Sequence, residues 1–174
     1  MSDVLTRAAR VRIAIFDVDG VLTDGRLFYG DDGQEYKAFH SRDGLGMNML
    51  RASGVEVAII TARNSNVVLH RAKNLGITQV YQGAEDKLSA YLHLLENTGV
   101  NPEQTAYMGD DVVDLPILRR CGLALTVPGA PDVVRDAAHY ITRLDGGMGA
   151  AREACEVIMR AQDTWEAQLA RYSK

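Results

Sequence analysis

The sequence predicts an α/β fold in which a parallel sheet carries helices on both faces. Short apolar runs alternate along the chain with stretches of helical periodicity, which is typical of repeated βα units. The first apolar run, around Ile13 and Ile15, is nearly continuous rather than alternating. A continuous run is expected of a strand that is buried on both faces of a parallel sheet.

The elements follow from these patterns in chain order. After the first strand, apolar runs predict strands at 55–60, 105–108 and 123–126, a short edge strand at 139–141, and one short strand between Thr61 and Lys87. Helical spacing predicts helices at 44–52, 65–75, 87–97, 113–120 and about 150–161. Gly76 is placed to end the second helix, and Pro116 falls in the first turn of the fourth, where proline is tolerated.

One segment interrupts this rhythm. Residues 27–39 contain two short β-prone runs on either side of Asp32 and Gly33, which is a hairpin signal. The segment comes soon after a pair of aspartates, so it is expected either to form a flap beside a site or to be a surface hairpin without a role.

Composition limits the class of protein. The 174 residues suit a single domain, 1–174, and 47% hydrophobic with 24% charged residues is an ordinary globular mixture. A net charge of −4 argues against a nucleic-acid partner. The sequence shows no membrane span or secretory signal, and Cys121 and Cys155 have no metal or disulfide spacing, so we expect a cytoplasmic protein with no membrane partner.

The first strand ends in two aspartates. Asp17 and Asp19 follow it directly, and Gly20 allows the chain to turn away. Ligands bind at the carboxyl edge of open parallel sheets, and two neighbouring carboxylates need a cation or a shared proton. The alternative is a polar strand end with an aspartate in a turn.

Further polar residues follow other predicted strands. They are Thr61, Lys87, Asp110, Asp111 and Asp114. Each has a structural alternative: Thr61 as a turn residue, Lys87 as a solvated lysine, and Asp110 as a helix cap. Together they would bring carboxylates, a hydroxyl and an ammonium to one edge. Clustered carboxylates favour Mg²⁺, and the whole set favours phosphoryl transfer through an aspartyl-phosphate.

These motifs resemble those of the haloacid dehalogenase superfamily of phosphatases. Its four motifs match, in order, residues 17–21, Thr61, Lys87 and residues 109–114. The resemblance covers nearly the whole chain and implies a Rossmann-like sheet. Little chain separates the motifs, so it also implies a member with no cap domain and only the 27–39 hairpin as an insert.

Further stretches resemble one family within that superfamily, the 3-deoxy-D-manno-octulosonate 8-phosphate phosphatases. They are residues 39–44, 59–63, 75–77, 81–83 and 146–153. This resemblance implies hydrolysis of a sugar phosphate in lipopolysaccharide precursor synthesis. It also implies a homotetramer in which the hairpins of four subunits associate and a neighbouring subunit helps to close each site.

The resemblance also implies residue roles. Asp17 would be the nucleophile and Asp19 the general acid and base, while Thr61 and Lys87 would bind the phosphoryl group. The Asp17 side chain, the Asp19 carbonyl and Asp110 would hold Mg²⁺, supported by Asp111 and Asp114. Contacts to the sugar acid would come from His40, Ser41, Arg42, Asp43, Gly44, Asn48, Arg63 and Arg71. The planar guanidinium groups of two arginines match the geometry of the carboxylate of a sugar acid. The structural alternative for Arg71 is a solvated helix residue.

Two alternatives to this phosphatase remain open at this point, and the motif spacing argues against a third class of protein. A relative acting on a nine-carbon sugar acid 9-phosphate would share the same motifs. A non-catalytic partner domain of a sugar-acid synthetase would not need the intact set of motif residues. A signalling receiver domain also carries aspartates and a lysine on a parallel sheet, but without the Asp-x-Asp pair after its first strand.

Overall fold

The computed structural model describes residues 2–173, and the strands among these residues form two sheets. The strands are β1 (Ile13–Phe16), β2 (Phe28–Tyr29), β3 (Glu35–Tyr36), β4 (Glu56–Ile60), β5 (Gln79–Tyr81), β6 (Thr105–Met108), β7 (Leu123–Thr126) and β8 (Tyr140–Ile141). The larger sheet has the order β5-β4-β1-β6-β7-β8, and every pairing in it is parallel. The parallel sheet predicted from the sequence is therefore confirmed.

The helices within the same residues connect and flank these strands. They are α1 (Ser2–Ala8), α2 (Ser41–Ala52), α3 (Asn66–Asn74), α4 (Lys87–Thr98), α5 (Leu115–Leu118), α6 (Asp132–Arg135), α7 (Ala150–Ala161) and α8 (Trp165–Ala170). Two 3₁₀ turns lie at Pro102–Gln104 and Val112–Asp114. In the part of the chain that the structure describes, no helix is both long and apolar enough to cross a membrane.

The strand order creates a crevice at the centre of the sheet. The chain leaves β1 towards β4 and β5 on one side, then crosses to β6, β7 and β8 on the other. The right-handed rule for parallel crossovers assigns α2 and α3 to one face and α4 and α5 to the opposite face. Helix α7 packs on α2, and α4 contacts α5. Ligands bind at the carboxyl ends of the strands where the order reverses, which here is the end of β1.

The core explains why the strands form where they do. All four residues of each of β1, β6 and β7 are buried, as expected of strands covered by helices on both faces. Tyr91 and Tyr107 are the largest of the fully buried side chains, and each hydroxyl is hydrogen-bonded, to Thr105 and to Asp114 respectively. Both buried hydroxyls therefore have a hydrogen-bond partner.

The predicted 113–120 helix differs from the structure. Val112–Asp114 is a 3₁₀ turn, and the α-helix begins only at Leu115, with Pro116 in its first turn. The side chain of Asp114 accepts hydrogen bonds from the backbone amides of Asp110 and Asp111, which tightens the chain at this point. Helices α1, α6 and α8 could not be predicted from the sequence, since helices of four to seven residues are too short to show a hydrophobic period.

The hairpin forms as predicted. In the 27–39 hairpin, Phe28 pairs with Tyr36 and Tyr29 with Glu35, and Gly33 takes a positive φ of 80° in the turn. Phe28, Tyr29 and Tyr36 are all about half exposed. The hairpin therefore presents an aromatic surface that this chain does not itself cover.

Candidate active site

The ends of β1 and β4 place the first two motif residues. The backbone amide of Asp17 donates to Met108 O over 3.0 Å, so the sheet ladder continues one residue past β1. Thr61 follows β4 in the same way, with its amide donating to Tyr81 O over 2.9 Å. Both side chains are buried at this edge, Asp17 being 6% and Thr61 2% exposed. These positions are fixed by the sheet and not by a flexible loop.

Gly20 is required by the close approach of Asp110. A Cβ atom at Gly20 would lie 2.0 Å from Oδ2 of Asp110, and the residue has a φ of +90°. The turn is closed by the amides of Val21, Leu22 and Thr23, which all donate to Val18 O. The carboxylate of Asp110 therefore packs directly onto the turn that follows Asp19.

Lys87 connects two buried carboxylates. It begins α4, whose N-terminus is capped by the side chain of Asp86. Its Nζ lies 2.9 Å from Oδ2 of Asp17 and 2.7 Å from Oδ1 of Asp114. With a side chain only 2% exposed, Lys87 is not the solvated lysine that the sequence left open.

The electrostatics of this cluster favour a cation. Burial raises the pKa of Asp17 to about 6, although the charge of Lys87 opposes this. Burial raises the pKa of Asp110 to about 7, and repulsion from Asp17 and Asp114 adds to the effect. Burial alone would lower the pKa of Lys87, but Asp17 and Asp114 raise it above its usual value. Lys87 alone does not balance this negative charge.

The donor set fits a hard divalent cation. Asp17, Asp110 and Asp114 each offer an oxygen, and these three atoms lie within 4.8 Å of one another. Asp114 is already engaged, because Oδ1 accepts from Lys87 and Tyr107 and Oδ2 accepts from the two backbone amides. Asp17 and Asp110 are therefore the carboxylates available to the ion, and an oxygen-only set is what Mg²⁺ prefers.

A cleft of about 290 Å³ collects most of the predicted catalytic residues. It is lined by Asp17, Asp19, Gly25, Leu27, Thr61, Ala62, Arg63, Lys87, Asp110, Asp111 and Val113. Asp111, expected to support the metal, is exposed, and its side chain accepts from the amide of Val112 as the cap of the 3₁₀ turn. That cap was the structural alternative considered for Asp110.

Among the predicted sugar contacts, Arg63 is the residue that the structure places in this cleft. The other seven are His40, Ser41, Arg42, Asp43, Gly44, Asn48 and Arg71, and they lie around α2 and α3. Ser41, Arg42 and Asn48 are exposed on α2. Arg42 lines a different groove of about 390 Å³, together with Arg152 and Glu156.

His40, Gly44 and Arg71 form a separate cluster. The guanidinium of Arg71 donates to His40 O over 3.3 Å, lies 5.6 Å from the centre of the Phe39 ring, and packs on Gly44, where a Cβ would be 2.3 Å from it. Arg71 is therefore half-buried and not the solvated residue of the alternative interpretation. His40 caps α2, because its Nδ1 accepts from the amide of Arg42.

Asp43 has a structural contact of its own. Its Oδ1 accepts from the amide of Arg152 over 2.8 Å, so it caps the N-terminus of α7 from the neighbouring helix α2. The residue is only 2% exposed, and burial raises the pKa of its carboxyl. Within one chain, Asp43 therefore ties α2 to α7 and does not face the cleft.

The sequence analysis did not find two groups of residues. Lys37 of the hairpin binds Asp19 and is itself paired with Glu35, and Tyr107 of β6 binds Asp114. Glu35 and Lys37 are two apart, which puts both side chains on one face of a strand, and that spacing was the available signal. Tyr107 gave no such signal, because a tyrosine in a core strand resembles any other large apolar residue.

Known proteins share this architecture. A family model described as haloacid dehalogenase-like hydrolase matches residues 42–122. The 3-deoxy-D-manno-octulosonate 8-phosphate phosphatase KdsC of Yersinia pestis is 48% identical over 164 residues, which are 94% of this chain and 88% of that protein.

Two solved structures are similar over their whole length. A probable phosphatase from Pseudomonas syringae superposes with a TM-score of 0.98 at 49% identity, covering 100% of this chain and 99% of the other. The 3-deoxy-D-manno-octulosonate 8-phosphate phosphatase of Moraxella catarrhalis, solved with magnesium, phosphate and KDO, gives 0.97 at 41% identity and covers 99% of each chain.

Proposed function

Because this chain belongs to the 3-deoxy-D-manno-octulosonate 8-phosphate phosphatases, a family of haloacid dehalogenase-like hydrolases, we propose that its cleft hydrolyses that sugar phosphate. The products are the free eight-carbon sugar acid and phosphate, in lipopolysaccharide precursor synthesis. The observation that carries the proposal is the buried Asp17, held 2.9 Å from Lys87 in the same cleft as Asp110.

Asp17 is suited to nucleophilic attack on phosphorus. Its Oδ2 is held by Lys87, so the carboxylate has a fixed orientation at the rigid end of β1. Attack forms an aspartyl-phosphate as the bond to the sugar oxygen breaks. Lys87 and Thr61, both nearly fully buried in the cleft, are placed to bind the transferring phosphoryl oxygens.

Mg²⁺, when bound at Asp17 and Asp110, supplies positive charge against the charge that develops on the phosphoryl oxygens. Its binding also favours the ionised carboxylates, which the raised pKa values of Asp17 and Asp110 otherwise oppose. We assign the third protein ligand to the backbone carbonyl of Asp19, following the family pattern.

Asp19 is assigned both proton transfers. It donates its proton to the leaving sugar oxygen in the first step, then removes a proton from the water that attacks the aspartyl-phosphate. Its side chain is 19% exposed at the mouth of the cleft, where both a substrate oxygen and a water have access.

Recognition of the sugar acid is assigned to two sources. Arg63 lines the cleft of its own chain, whereas Ser41, Arg42 and Asn48 are exposed on α2. We propose a cytoplasmic homotetramer in which a neighbouring subunit brings the α2 residues and Arg71 to the site. The half-exposed aromatic surface of the 27–39 hairpin supports this arrangement, since association would bury it.

A non-catalytic partner domain would not need the intact set of motif residues. These are Asp17, Asp19, Thr61, Lys87 and Asp110. The remaining alternative, a nine-carbon sugar acid 9-phosphate, is decided by measuring phosphate release from a panel of sugar phosphates. We expect the eight-carbon substrate to have the highest kcat/KM, EDTA to abolish turnover and Mg²⁺ to restore it.

The matched control for this assay is Asp17→Asn. Asparagine nearly preserves the shape of the side chain but removes the nucleophile, so turnover should fall to background. A folded variant that keeps more than about 5% of the activity would exclude the aspartyl-phosphate, because loss of a nucleophile costs several orders of magnitude. Preference for the nine-carbon substrate would overturn the substrate assignment alone.

A further inference from the structure

Lys37 of the 27–39 hairpin reaches into the candidate active site. Its ammonium group donates a hydrogen bond to Oδ1 of Asp19 and lies 3.1 Å from Oε1 of Glu35. The side chain is only 1% exposed, although the hairpin that carries it is largely open to solvent. A lysine on a surface hairpin would normally extend into water, so its burial here needs an explanation.

The contact belongs to a network of four charged side chains. The Nε atom of Arg63 lies 4.0 Å from Oδ2 of Asp19 and 3.9 Å from Oε1 of Glu35, and its guanidinium also binds the hydroxyl of Tyr29. Burial works against ionisation of Glu35, but the Ser65 hydroxyl, followed by Lys37 and Arg63, holds the pKa of its carboxyl below the usual range. Glu35 therefore balances the charge of Lys37, which a buried ammonium requires.

The two aspartates of the cleft are thus each held by a different lysine. Lys87, from the sheet edge and α4, binds Asp17, and Lys37, from the hairpin, binds Asp19. Lys37 donates a hydrogen bond to Oδ1 of Asp19, whereas Oδ2 lies 4.0 Å from Nε of Arg63, beyond hydrogen-bond distance. One carboxylate oxygen of Asp19 is therefore anchored and the other is available for proton transfer.

We propose that Lys37 is a positioning residue that fixes the carboxyl group of Asp19 for proton transfer to the leaving oxygen. This inference rests on the proposed function, in which Asp19 is the general acid. As the Asp17–phosphorus bond forms and the phosphorus–oxygen bond breaks, the proton of Asp19 passes to the departing oxygen. Lys37 keeps all its protons and serves to hold the acid within hydrogen-bonding reach, which general acid catalysis requires.

The consequence is that the hairpin is part of the catalytic apparatus. Asp19 lies on the turn after β1, whereas Lys37 and Glu35 belong to the hairpin, so the orientation of the acid depends on where the hairpin sits. Any change that moves the hairpin should reduce the proton-transfer step first. Binding of the phosphoryl group by Lys87 and Thr61 should be unaffected.

The test compares leaving groups of different acidity. Phenyl phosphate and 4-nitrophenyl phosphate have nearly the same shape, but the nitrophenolate leaves without help from an acid. The quantity measured is kcat/KM, which covers only the steps up to formation of the aspartyl-phosphate and so excludes the later attack by water. For Lys37→Met, we expect a loss of about tenfold or more on phenyl phosphate and a much smaller loss on 4-nitrophenyl phosphate.

Two further variants make the comparison specific. Lys37→Arg keeps a cation at this position and should recover part of the phenyl phosphate activity. Lys73→Met makes the same change as Lys37→Met at an exposed lysine of α3, away from the hairpin, and should leave both kcat/KM values near wild type. Light scattering and thermal melts of each variant show whether the fold and the assembly are retained.

Equal losses on the two aryl phosphates by a folded Lys37→Met variant would overturn the proposal, as would wild-type values on both. If Lys37→Met fails to fold, the same comparison on Lys37→Arg decides, since a misplaced cation should still give the larger loss on phenyl phosphate. The substrate assignment is tested separately: a wild-type protein active on both aryl phosphates but not on the sugar phosphate would overturn only that assignment. Absence of all phosphatase activity would overturn both.

Discussion

Tyr107 in β6 and Lys87 in α4 bind the same carboxylate oxygen of Asp114. The hydroxyl of Tyr107 in β6 donates to Oδ1 of Asp114 over 2.6 Å, and Nζ of Lys87 lies 2.7 Å from that oxygen. Asp114 is fully buried, and Lys87 continues the chain of contacts to Asp17. The position of the Lys87 ammonium beside Asp17, the proposed nucleophile, therefore depends on a tyrosine that does not line the cleft.

Removing this hydroxyl should affect turnover as well as stability. We expect Tyr107→Phe to lower the free energy of unfolding by about 1–3 kcal/mol, because a buried carboxylate loses a donor, and to lower kcat several-fold. Tyr91→Phe is the matched control, since it also removes a buried tyrosine hydroxyl, paired with Thr105 at 2.8 Å. Urea denaturation and steady-state kinetics on both variants test this; equal kcat values for the two would contradict it.

The two arginines assigned to the sugar acid lie in different surroundings. Arg63 lines the cleft, while Arg71 stacks on Phe39 and donates to His40 O. Alanine at either position should raise KM for 3-deoxy-D-manno-octulosonate 8-phosphate by roughly tenfold, as expected for a lost charged contact. KM for an aryl phosphate should scarcely change. Arg71→Ala should also lower the melting temperature. Parallel losses on both substrates would mean that the arginines do not bind the substrate carboxylate.

Association of the hairpins has a direct test. Replacing residues 27–39 with a short turn removes Phe28, Tyr29 and Tyr36, whose half-exposed rings are the proposed contact. We expect light scattering to show a smaller species than the tetramer proposed for the wild type, and activity on the sugar phosphate to be lost. A monomeric wild-type protein would exclude the proposed assembly.

The sheet could be predicted because its strands are buried on both faces. A continuous apolar run such as Ile13–Phe16 records that environment directly, and the polar residue that follows it marks the sheet edge. The helices that were missed are short, and α1 and α8 are held by a few contacts, such as the packing of Trp165 under Arg152 and Arg160. Packing of this kind produces no hydrophobic periodicity in the sequence.

The position of a site residue was predictable where it depends only on the strand or helix next to it in the sequence. That Asp17, Thr61 and Lys87 lie together was predictable because Asp17 and Thr61 directly follow strands and Lys87 begins a helix. Lys37 and Tyr107 were missed because their partners, Asp19 and Asp114, come from other segments of the chain. Asp43 was assigned to the substrate, yet its contact with the amide of Arg152 depends on how α2 packs on α7, which no local pattern records.

Glu153 should make stability depend on pH in the acid range. Burial alone would raise its pKa, but hydrogen bonds from Tyr140 and Arg143 hold the pKa below its ordinary value of 4.5. The ionised form therefore stabilises the fold above about pH 4.5, and this contribution is lost as the pH falls through the folded-state pKa. The difference in unfolding free energy between wild type and Glu153→Gln should shrink from pH 7 to pH 3. The exposed Glu166→Gln should show no such trend, and a constant difference for Glu153→Gln would contradict this assignment.

The glycine-rich loop of residues 145–149 supports the turn that carries Asp19. A Cβ atom at Gly146 would lie 1.8 Å from Gly20 O, and the amide of Gly147 donates to Val21 O over 3.0 Å. Alanine at Gly146 must therefore displace the Gly20 turn, against which Asp110 also packs. We expect Gly146→Ala to lower stability by about 1–3 kcal/mol and kcat/KM by tenfold or more, since displacing the turn disturbs both Asp19, the proposed acid, and Asp110, the proposed metal ligand. Gly129→Ala is the matched control, because its Cβ would meet only Oδ1 of Asp145, at 4.0 Å. Kinetics and thermal melts of the two variants test this: if Gly146→Ala behaves like Gly129→Ala, the loop does not hold the turn that carries Asp19.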